Sequence, residues 1–498
     1  MNRSVVLLAA AALAVGGLLS GCASTPSAPE KPPEKPPAKT AEPEGPCRAT
    51  LGVEAAAITR AVRARLSLPA ALGGALVTEV LAGGPGAAAG LRPGDVIQSI
   101  GDTGLANECE FIDQAFGRTC ATVAVTLRRD GQTIEKDVKP VSELPFYEKR
   151  CAENVPTACF RTGWLLWARN RTGDRERALD VYRQACASRS AEACAYGGLH
   201  LADTEKPEAV EMLERGCEFG SGAGCAHLAF LYAVGRIVPR DDAKATPLYE
   251  KGCELGDARS CYNVGLMAED GRGMPRDLAR AIAAYEEACD TGSSTACTNL
   301  GHHYEKGTGV EKDPERAFAL YQKGCEGTSC QPRNLAGCVN VGRAYRDGIG
   351  VERDPAEAAA IFDDACSRET DPDDVHAEEN RSRACSLLGA LLLNGDGVEQ
   401  DLEGGRELSE LGCQHGDAFG CFNAAAVYAG GTGVDRDPAK AASFLEKACN
   451  GGDGEGCHLL AAAYAKGNGV PRDRSRAVEL RRRGCELGFE PACGPSGR

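Results

Sequence analysis

The sequence predicts a multidomain chain, in which a small mainly-β domain precedes an all-α solenoid of paired helices. Three observations predict this fold class. Pairs of cysteines with seven residues between them recur over the C-terminal two thirds of the chain, and the pair that begins at Cys253 returns 36 residues later at Cys289. Small residues recur at fixed offsets from these pairs, and a period in the thirties is typical of stacked helical hairpins. Between residues 47 and 142, short alternating apolar runs predict strands instead.

Residues 1–21 are typical of an export signal. Arg3 precedes an apolar run over residues 5–19, which stops at a Leu-Ser-Gly-Cys sequence ending at Cys22. A charged start and small residues before a cysteine favour a secretory signal over a spanning helix. The four residues resemble the bacterial lipoprotein box, which implies that Cys22 carries lipid and that the protein, with Ala23 next, resides at the outer membrane. An ordinary signal peptide with a chance cysteine is the alternative.

Residues 22–46 predict a linker. The segment contains the run Glu-Lys-Pro-Pro-Glu-Lys-Pro-Pro and has no apolar side chains large enough to build a core. We therefore expect a semi-rigid, extended spacer that holds the folded domains away from the bilayer.

The predicted β domain covers residues 47–142. Strands are predicted at 75–80, 95–100, 121–127 and 133–138, with a turn at Asp130-Gly131 and one short amphipathic helix at 108–116. The stretch Gly-Leu-Arg-Pro-Gly-Asp-Val-Ile at 90–97 resembles the signature of the PDZ domains in bacterial HtrA-type proteases.

The resemblance implies a site for a peptide terminus. In PDZ domains the C-terminal carboxylate is held by backbone N–H groups of an apolar-Gly-apolar loop, which here matches Leu51, Gly52 and Val53, and the adjoining edge strand pairs with the peptide. The helix side chains that would face the same groove are Ile112, Ala115 and Phe116, although each could equally be a core residue. No segment before residue 47 could house a protease domain, so this PDZ domain is expected to act on another molecule.

The repeats extend from residue 143 to residue 498, and helices are predicted on both sides of each cysteine pair. Asp313 before Pro314 is typical of a helix start, because Asp accepts from the first free N–H groups and proline is tolerated at the first helical position. A glycine three residues past the first cysteine, such as Gly256, is typical of a helix end. The cysteine pairs are Cys151/Cys159, Cys186/Cys194, Cys217/Cys225, Cys253/Cys261, Cys289/Cys297, Cys413/Cys421, Cys449/Cys457 and Cys485/Cys493, with the longer-spaced Cys325/Cys338 and Cys366/Cys385.

These positions resemble the Sel1-like repeat family, and the cysteine-paired form is similar to the Helicobacter cysteine-rich proteins. The resemblance implies stacked α/α hairpins, each clipped by a disulfide, and a role in protein interaction. Export to an oxidising compartment also favours disulfides over zinc, since each pair offers two sulfurs and no histidine recurs beside them. Four further cysteines are left without an assigned partner, although Cys109 with Cys120 is one candidate pair; they are Cys47, Cys109, Cys120 and Cys330.

One polar position recurs two residues past the second cysteine of a pair. It is occupied by Asn263, Asn299, Asn340 and Asn423. Stacking would bring these amides into a row, where they could bind an extended peptide backbone. The alternative is that they satisfy backbone groups at the starts of their own helices.

The composition and motifs argue against several classes of function. A net charge of −15 is unfavourable for a nucleic-acid partner. His302 and His303 are adjacent, but neighbours on a helix point about 100° apart and chelate one ion poorly, so no metal and no cofactor are predicted. The chain lacks the Ser-x-x-Lys and Lys-Thr-Gly motifs of serine β-lactamases, although penicillin binding or hydrolysis is what the cysteine-rich relatives imply.

The sequence thus predicts a lipid-anchored envelope protein that acts as a scaffold at the outer membrane, facing the periplasm or, as the alternative, exposed at the cell surface. Its PDZ domain would capture a peptide terminus while the solenoid binds a second protein. A β-lactam-binding protein or weak β-lactamase is one alternative, and an adaptor for a separate envelope protease is another.

Overall fold

The computed structural model describes residues 49–51, 53–56, 74–100, 103–105, 123–139, 141–326, 334–368 and 376–493. Within them the chain forms two units, residues 49–293 and residues 294–493. The predicted export signal, the linker and the helix at 108–116 lie outside the described residues, as do Cys22, Cys47, Cys109, Cys120 and Cys330.

The first unit begins with the predicted β domain, whose strands are all antiparallel. Its main sheet has the order β2-β3-β4-β6-β7, with β5 beside β4, while β1 pairs with β8 in a separate ladder. The elements are β1 (Ala49–Thr50), β2 (Val53–Ala56), β3 (Ala75–Val80), α1 (Pro85–Ala88), β4 (Val96–Ile100), β5 (Thr103–Gly104), β6 (Val123–Arg129), β7 (Gln132–Val138) and β8 (Val141–Ser142).

Alternation builds the core of this domain. Along β6, Val125 and Leu127 are fully buried, and Ile97 from β4 packs in the same cluster. The β6–β7 hairpin turns at Asp130 and Gly131, both with positive φ, as the Asp-Gly signal predicts. The predicted fold class, a small mainly-β domain before an all-α solenoid, is confirmed.

Helical hairpins follow in both units. In the first unit the helices are α2 (Glu143–Ala152), α3 (Pro156–Arg169), α4 (Asp174–Ala187), α5 (Ala191–Ala202), α6 (Glu208–Glu218), α7 (Gly222–Val234), α8 (Asp242–Glu254), α9 (Ala258–Asp270) and α10 (Leu278–Asp290). In the second unit they are α11 (Ser294–Lys306), α12 (Pro314–Glu326), α13 (Leu335–Asp347), α14 (Pro355–Ser367), α15 (Ala377–Asn394), α16 (Leu402–Gln414), α17 (Ala418–Gly430), α18 (Pro438–Asn450), α19 (Gly454–Lys466) and α20 (Arg474–Glu486), with a final 3-10 turn at Glu490–Ala492. Among the residues described, no helix combines the length and apolar character needed to cross a bilayer.

The helix ends follow the predicted punctuation. Asp313 accepts a hydrogen bond from the backbone N–H of Arg316 at 2.9 Å, and Asp354 accepts from the N–H of Glu357 at 3.0 Å. Both carboxylates therefore cap a helix that begins with proline. Gly256 has a φ of 87°, which suits the left-handed turn after a helix.

Disulfides cross these turns as the resemblance implied. Bridges join Cys151–Cys159, Cys186–Cys194, Cys217–Cys225, Cys253–Cys261, Cys325–Cys338, Cys366–Cys385, Cys413–Cys421, Cys449–Cys457 and Cys485–Cys493, and Cys289 and Cys297 are disulfide-bonded too. So many structural disulfides indicate an oxidising, extracytoplasmic compartment.

Recurring glycines let an aromatic ring lie against the next helix. A Cβ added to Gly265 would lie 2.4 Å from the ring of Tyr285, and one added to Gly301 would lie 2.6 Å from the ring of Tyr321. Because both rings are almost fully buried, they have little room to retreat. The small residue four positions past the second cysteine is therefore required by helix packing.

The buried tyrosine rings differ in what their hydroxyls contact. Tyr321 donates to Glu305 at 2.6 Å. The buried hydroxyl of Tyr249 has no hydrogen-bond partner among the described residues. The two repeats differ at the position of the acceptor, eight residues past the second cysteine of a pair. This position is Glu305 in the repeat before Tyr321 and Ala233 in the repeat before Tyr249.

The two tyrosines should respond differently to removal of the hydroxyl. We expect Tyr321→Phe to lower the free energy of unfolding by about 1.5 to 3 kcal/mol, the range for a hydrogen bond to a charged acceptor. Tyr249→Phe should leave it unchanged or raise it slightly, because it removes a buried polar group that lacks a partner. Urea denaturation followed by circular dichroism measures both. Equal losses in the two variants would contradict the assignment.

Candidate functional site

The β domain presents an edge strand beside the predicted peptide loop. β2 pairs with β3 on one side, with Val53 opposite Val80, and no described strand pairs with its other side. An unpaired edge leaves backbone N–H and C=O groups available to an added strand. The edge begins at Val53, the last residue of the predicted loop.

The side chains on both flanks of this loop point into the core. Leu51 and Val53 are each 1% exposed and belong to the core cluster of the β domain. They therefore anchor the loop rather than contact a ligand with their side chains. Gly52 and the three helix residues Ile112, Ala115 and Phe116 lie outside the described residues, so their roles stay predictions.

Gly86 packs closely beneath the loop. Its N–H donates to the carbonyl oxygen of Leu51 at 2.8 Å, and a Cβ added to it would lie 2.6 Å from a methyl of Val53. The absence of a side chain thus permits the contact that holds the loop backbone.

Asp95 and Arg129 brace the turn that carries the PDZ signature. Asp95 is 1% exposed and accepts two bonds from Arg129, at 2.6 and 2.7 Å, and one from the backbone N–H of Arg92 at 2.8 Å. Arg129 also donates to the carbonyl oxygen of Gly90 at 2.9 Å. The aspartate of the signature is therefore a structural residue that ties the turn to β6.

The predicted row of asparagines is engaged by the protein itself. Asn263 is 8% exposed and donates to the carbonyl oxygen of Arg259 in its own helix at 2.8 Å. Asn423 donates to the carbonyl oxygen of Ser386 at 3.3 Å, and Asn299 is half-buried on α11. No ligand contact follows from these bonds, so the row as a binding surface stays a prediction.

Asn340 belongs to a polar network in the second unit. Its amide nitrogen lies 3.1 Å from His302 Nε2, and its oxygen accepts from Arg343 at 2.7 Å. Tyr321 contacts both His302 and Glu305. Although burial opposes it, the hydrogen bond from Tyr321 and the charge of Arg343 lower the pKa of Glu305, so this carboxylate stays ionised. The network ties three helices together.

In the first three repeats, before Asn263, other residue types occupy the position of the asparagines. Arg161, Tyr196 and His227 also stand two residues past a second cysteine. Desolvation by the surrounding protein lowers the pKa of His227 to about 3, while Asp257 and Arg259 next to it form an ion pair at 3.3 Å. The sequence did not point to these residues because the recurring position was recognised by its asparagines. The fixed spacing of two residues from the second cysteine would have identified them.

A stack of rings lies nearby on α3, α4 and α5. The rings of Trp167 and His200 are 3.5 Å apart and nearly parallel, and the guanidinium of Arg175 lies 5.2 Å from the Trp167 ring centre. The ring of Tyr182 also stacks with that of His200, with the ring centres 5.9 Å apart. Burial, with a smaller contribution from Arg175, lowers the pKa of His200 to about 4, so its ring is neutral at pH 7.

In the part of the chain that the structure describes, no group of three or more His, Cys, Asp or Glu side chains could hold a metal ion.

This stack should make the stability depend on pH. The folded pKa of His200 is about 4 and its ordinary value is 6.5, so between these values the unfolded chain binds the proton more readily. The free energy of unfolding is therefore expected to fall as pH drops through this window, and His227 contributes in the same direction. Urea denaturation at about pH 7 and about pH 5 should show a smaller loss in His200→Gln than in the wild-type chain. An identical loss in both would contradict this origin.

Comparisons with known proteins identify both parts of the chain. The Sel1 repeat family matches residues 222–257, 258–293, 294–329, 335–368, 382–417, 418–453 and 454–489, together about half of the chain. The PDZ domain family matches residues 52–127. Both confirm resemblances seen in the sequence.

Individual relatives match one part or the other. The serine protease Do-like HtrA of Lactococcus lactis strain IL1403 is 39% identical over 77 residues, which are 15% of this chain and 19% of the protease, and the HtrA of strain MG1363 matches equally. The chain thus spans about a fifth of the length of these curated relatives. A Sel1 repeat protein from Oxalobacter formigenes is 22% identical, with a TM-score of 0.46, over 66% of this chain and 91% of the other. Cysteine-rich protein B of Helicobacter pylori is 26% identical over 28% of this chain and 91% of its own, with a TM-score of 0.23.

Proposed function

Because the chain belongs to the Sel1 repeat family and carries a PDZ domain, we propose that it is an envelope lipoprotein that scaffolds two protein partners. In this proposal a PDZ domain at residues 47–142 binds a peptide terminus, and the repeats at 143–498 bind a second protein. PDZ domains and Sel1 repeats both support a protein-binding role.

The observation that carries the peptide-binding part is the edge of β2 beside the loop of Leu51 to Val53. Added strands pair with such an edge through backbone hydrogen bonds, and N–H groups at its start can hold a terminal carboxylate. With Leu51 and Val53 anchored in the core, the residues on either side of Gly52 are held in place, which reduces the entropy lost when a peptide binds.

The first experiment measures peptide binding. A library of decapeptides with free C-terminal carboxylates is screened against the full chain, and the best binder is compared with its C-terminal amide by fluorescence anisotropy. We expect the amide to bind at least tenfold more weakly, since it lacks the charge that the loop N–H groups would contact. Gly52→Glu should abolish binding by placing a carboxylate in the loop.

Gln132→Glu is the matched control, because it adds the same charge on the exposed opposite edge strand β7. It should bind as the wild-type chain does. If no peptide binds the wild-type chain, or if Gly52→Glu binds normally, the PDZ part of the proposal is wrong.

We place the second partner along the positions two residues past the second cysteine. Within the first unit these include Tyr196 and Asn263, and within the second they include Asn340 and Asn423. A photo-crosslinking residue at Tyr196 or Asn423 should capture an envelope protein, whereas one at Val478, which is 69% exposed, should not. Equal capture at Val478 would contradict this placement.

The disulfides support an envelope location, and we place the anchor at Cys22. Lipidation would hold the protein on the outer membrane, facing the periplasm, with residues 22–46 as spacer. Cys22→Ala should then move the protein from the membrane fraction to the soluble periplasmic fraction. A membrane fraction unchanged by Cys22→Ala would rule out this anchor.

A further inference from the structure

The first helical hairpin of the solenoid packs directly on the PDZ domain. Leu81, which follows β3, is 1% exposed and shares a cluster with Tyr147 from α2 and with Ala158 and Leu165 from α3. Thr157 Oγ1 donates to Glu79 Oε1 at 3.1 Å across the same contact. The two parts therefore share a small core at this junction.

The hairpin also contacts the residue that directly precedes the peptide loop of residues 51–53. The Thr50 and Tyr147 hydroxyl oxygens are 2.9 Å apart, and both residues are fully buried. Thr50 is the residue before Leu51, and the ladder of β1 with β8 places Thr50 opposite Val141, two residues before α2 begins. The entrance to the loop is thus held by the hairpin.

The hairpin also contacts the segment that follows the strand partner of Val53, at the C-terminal side of the loop. Val53 pairs with Val80, the last residue of β3, and the chain then passes through Leu81 in the shared cluster to Ala82, whose carbonyl oxygen accepts from Arg150 of α2. Four residues further on, Gly86 donates to the carbonyl oxygen of Leu51. Both flanks of the loop are therefore linked to the hairpin within a few residues.

A disulfide holds the two helices that make these contacts. Cys151 of α2 is bonded to Cys159 of α3. Tyr147 lies one helical turn before the first cysteine, and Ala158 lies directly before the second. Loss of the bridge would let α2 move relative to α3 and so separate Tyr147 from the rest of the cluster.

We propose that Tyr147 is a positioning residue for the peptide site and that the first hairpin, clipped by Cys151–Cys159, is a working part of that site. The inference rests on the proposed peptide-binding function, which it extends to residues outside the PDZ domain. Peptide affinity should therefore depend on residues of the solenoid that no peptide touches, and on the oxidation of one particular bridge.

The test uses the full chain and two readouts. The probe is the fluorescein-labelled decapeptide chosen in the library screen, and hydrogen exchange by mass spectrometry follows the amides of residues 49–56. Tyr147→Phe and Thr50→Val each remove one hydroxyl of the pair. We expect each to weaken peptide binding roughly two- to tenfold and to speed exchange at 49–56. The double variant should bind peptide no more weakly than the weaker-binding single variant, because both substitutions act on one contact.

Matched controls separate positioning from general stability. Tyr285→Phe removes a tyrosine hydroxyl that donates to Glu269 at 2.9 Å, far along the same unit, and should change neither readout. Replacing both cysteines of Cys151–Cys159 by alanine should weaken peptide binding, whereas the same change at Cys217–Cys225, which has the same sequence separation, should not.

The outcomes distinguish the inference from the function on which it rests. If the wild-type chain binds peptide and the Tyr147 and Thr50 variants bind equally well with unchanged exchange, the inference is overturned and the proposed function stands. If no peptide binds the wild-type chain, the proposed function fails, and exchange at residues 49–56 alone decides whether Tyr147 positions the loop. If Tyr285→Phe weakened peptide binding as much as Tyr147→Phe does, the inference would also be overturned.

Discussion

Replacing both cysteines of the Cys366–Cys385 bridge by alanine is expected to lower the free energy of unfolding of the second unit by about 3 kcal/mol. The bridge closes a loop with a sequence separation of 19, and in the chain-entropy model the stabilisation grows with the logarithm of loop length. The unfolded chain therefore regains more freedom here than at a short bridge.

Cys413–Cys421, with a separation of 8, is the control for loop length. Its double alanine variant should lose about 2.5 kcal/mol. Repeat arrays need not unfold in one step, so hydrogen exchange of α14 to α17 is measured together with urea denaturation. A variant of Cys366–Cys385 as stable as the wild-type chain would show that packing alone holds α14 and α15 together.

Arg129→Met is expected to lower the stability of the PDZ domain by about 3 kcal/mol. The substitution leaves the carboxylate of Asp95, which is 1% exposed, with only the backbone N–H of Arg92 among the contacts described above. A buried charge that loses its partner costs more than the pair contributes when intact. Thermal unfolding, or hydrogen exchange of β4 and β6, measures the loss.

Arg128→Met is the matched control, because strand alternation turns Arg128 to the opposite face of β6. It should lose less than about 0.5 kcal/mol. The double variant Asp95→Asn with Arg129→Met should lose less than the sum of the two single variants, because it removes the charge along with its partner. A strictly additive result would show that the two side chains do not act as a pair.

The sequence predicted the repeats well because their contacts are local and recur. Asp313, Pro314 and Gly256 act on the backbone within a few residues of themselves, and cysteines eight positions apart meet across a single turn. Because these residues act over only a few positions, their effect can be predicted from the sequence before the fold is known. The asparagine row was harder to interpret, because the sequence could not show that Asn263 and Asn340 already hydrogen-bond to groups of the protein.

Sequence alone determined the two-part architecture and the cysteine pairs of the repeats, because each leaves a period or a short motif in the chain. The peptide loop at residues 51–53 stays a prediction from such a motif. Tertiary structure decided how the loop is held: Thr50 and Tyr147 meet across 97 positions, and Gly86 packs under Leu51. Such contacts occur once and join residues of ordinary type, so no periodicity records them. They arise only when two separately patterned segments pack together and bury a shared core.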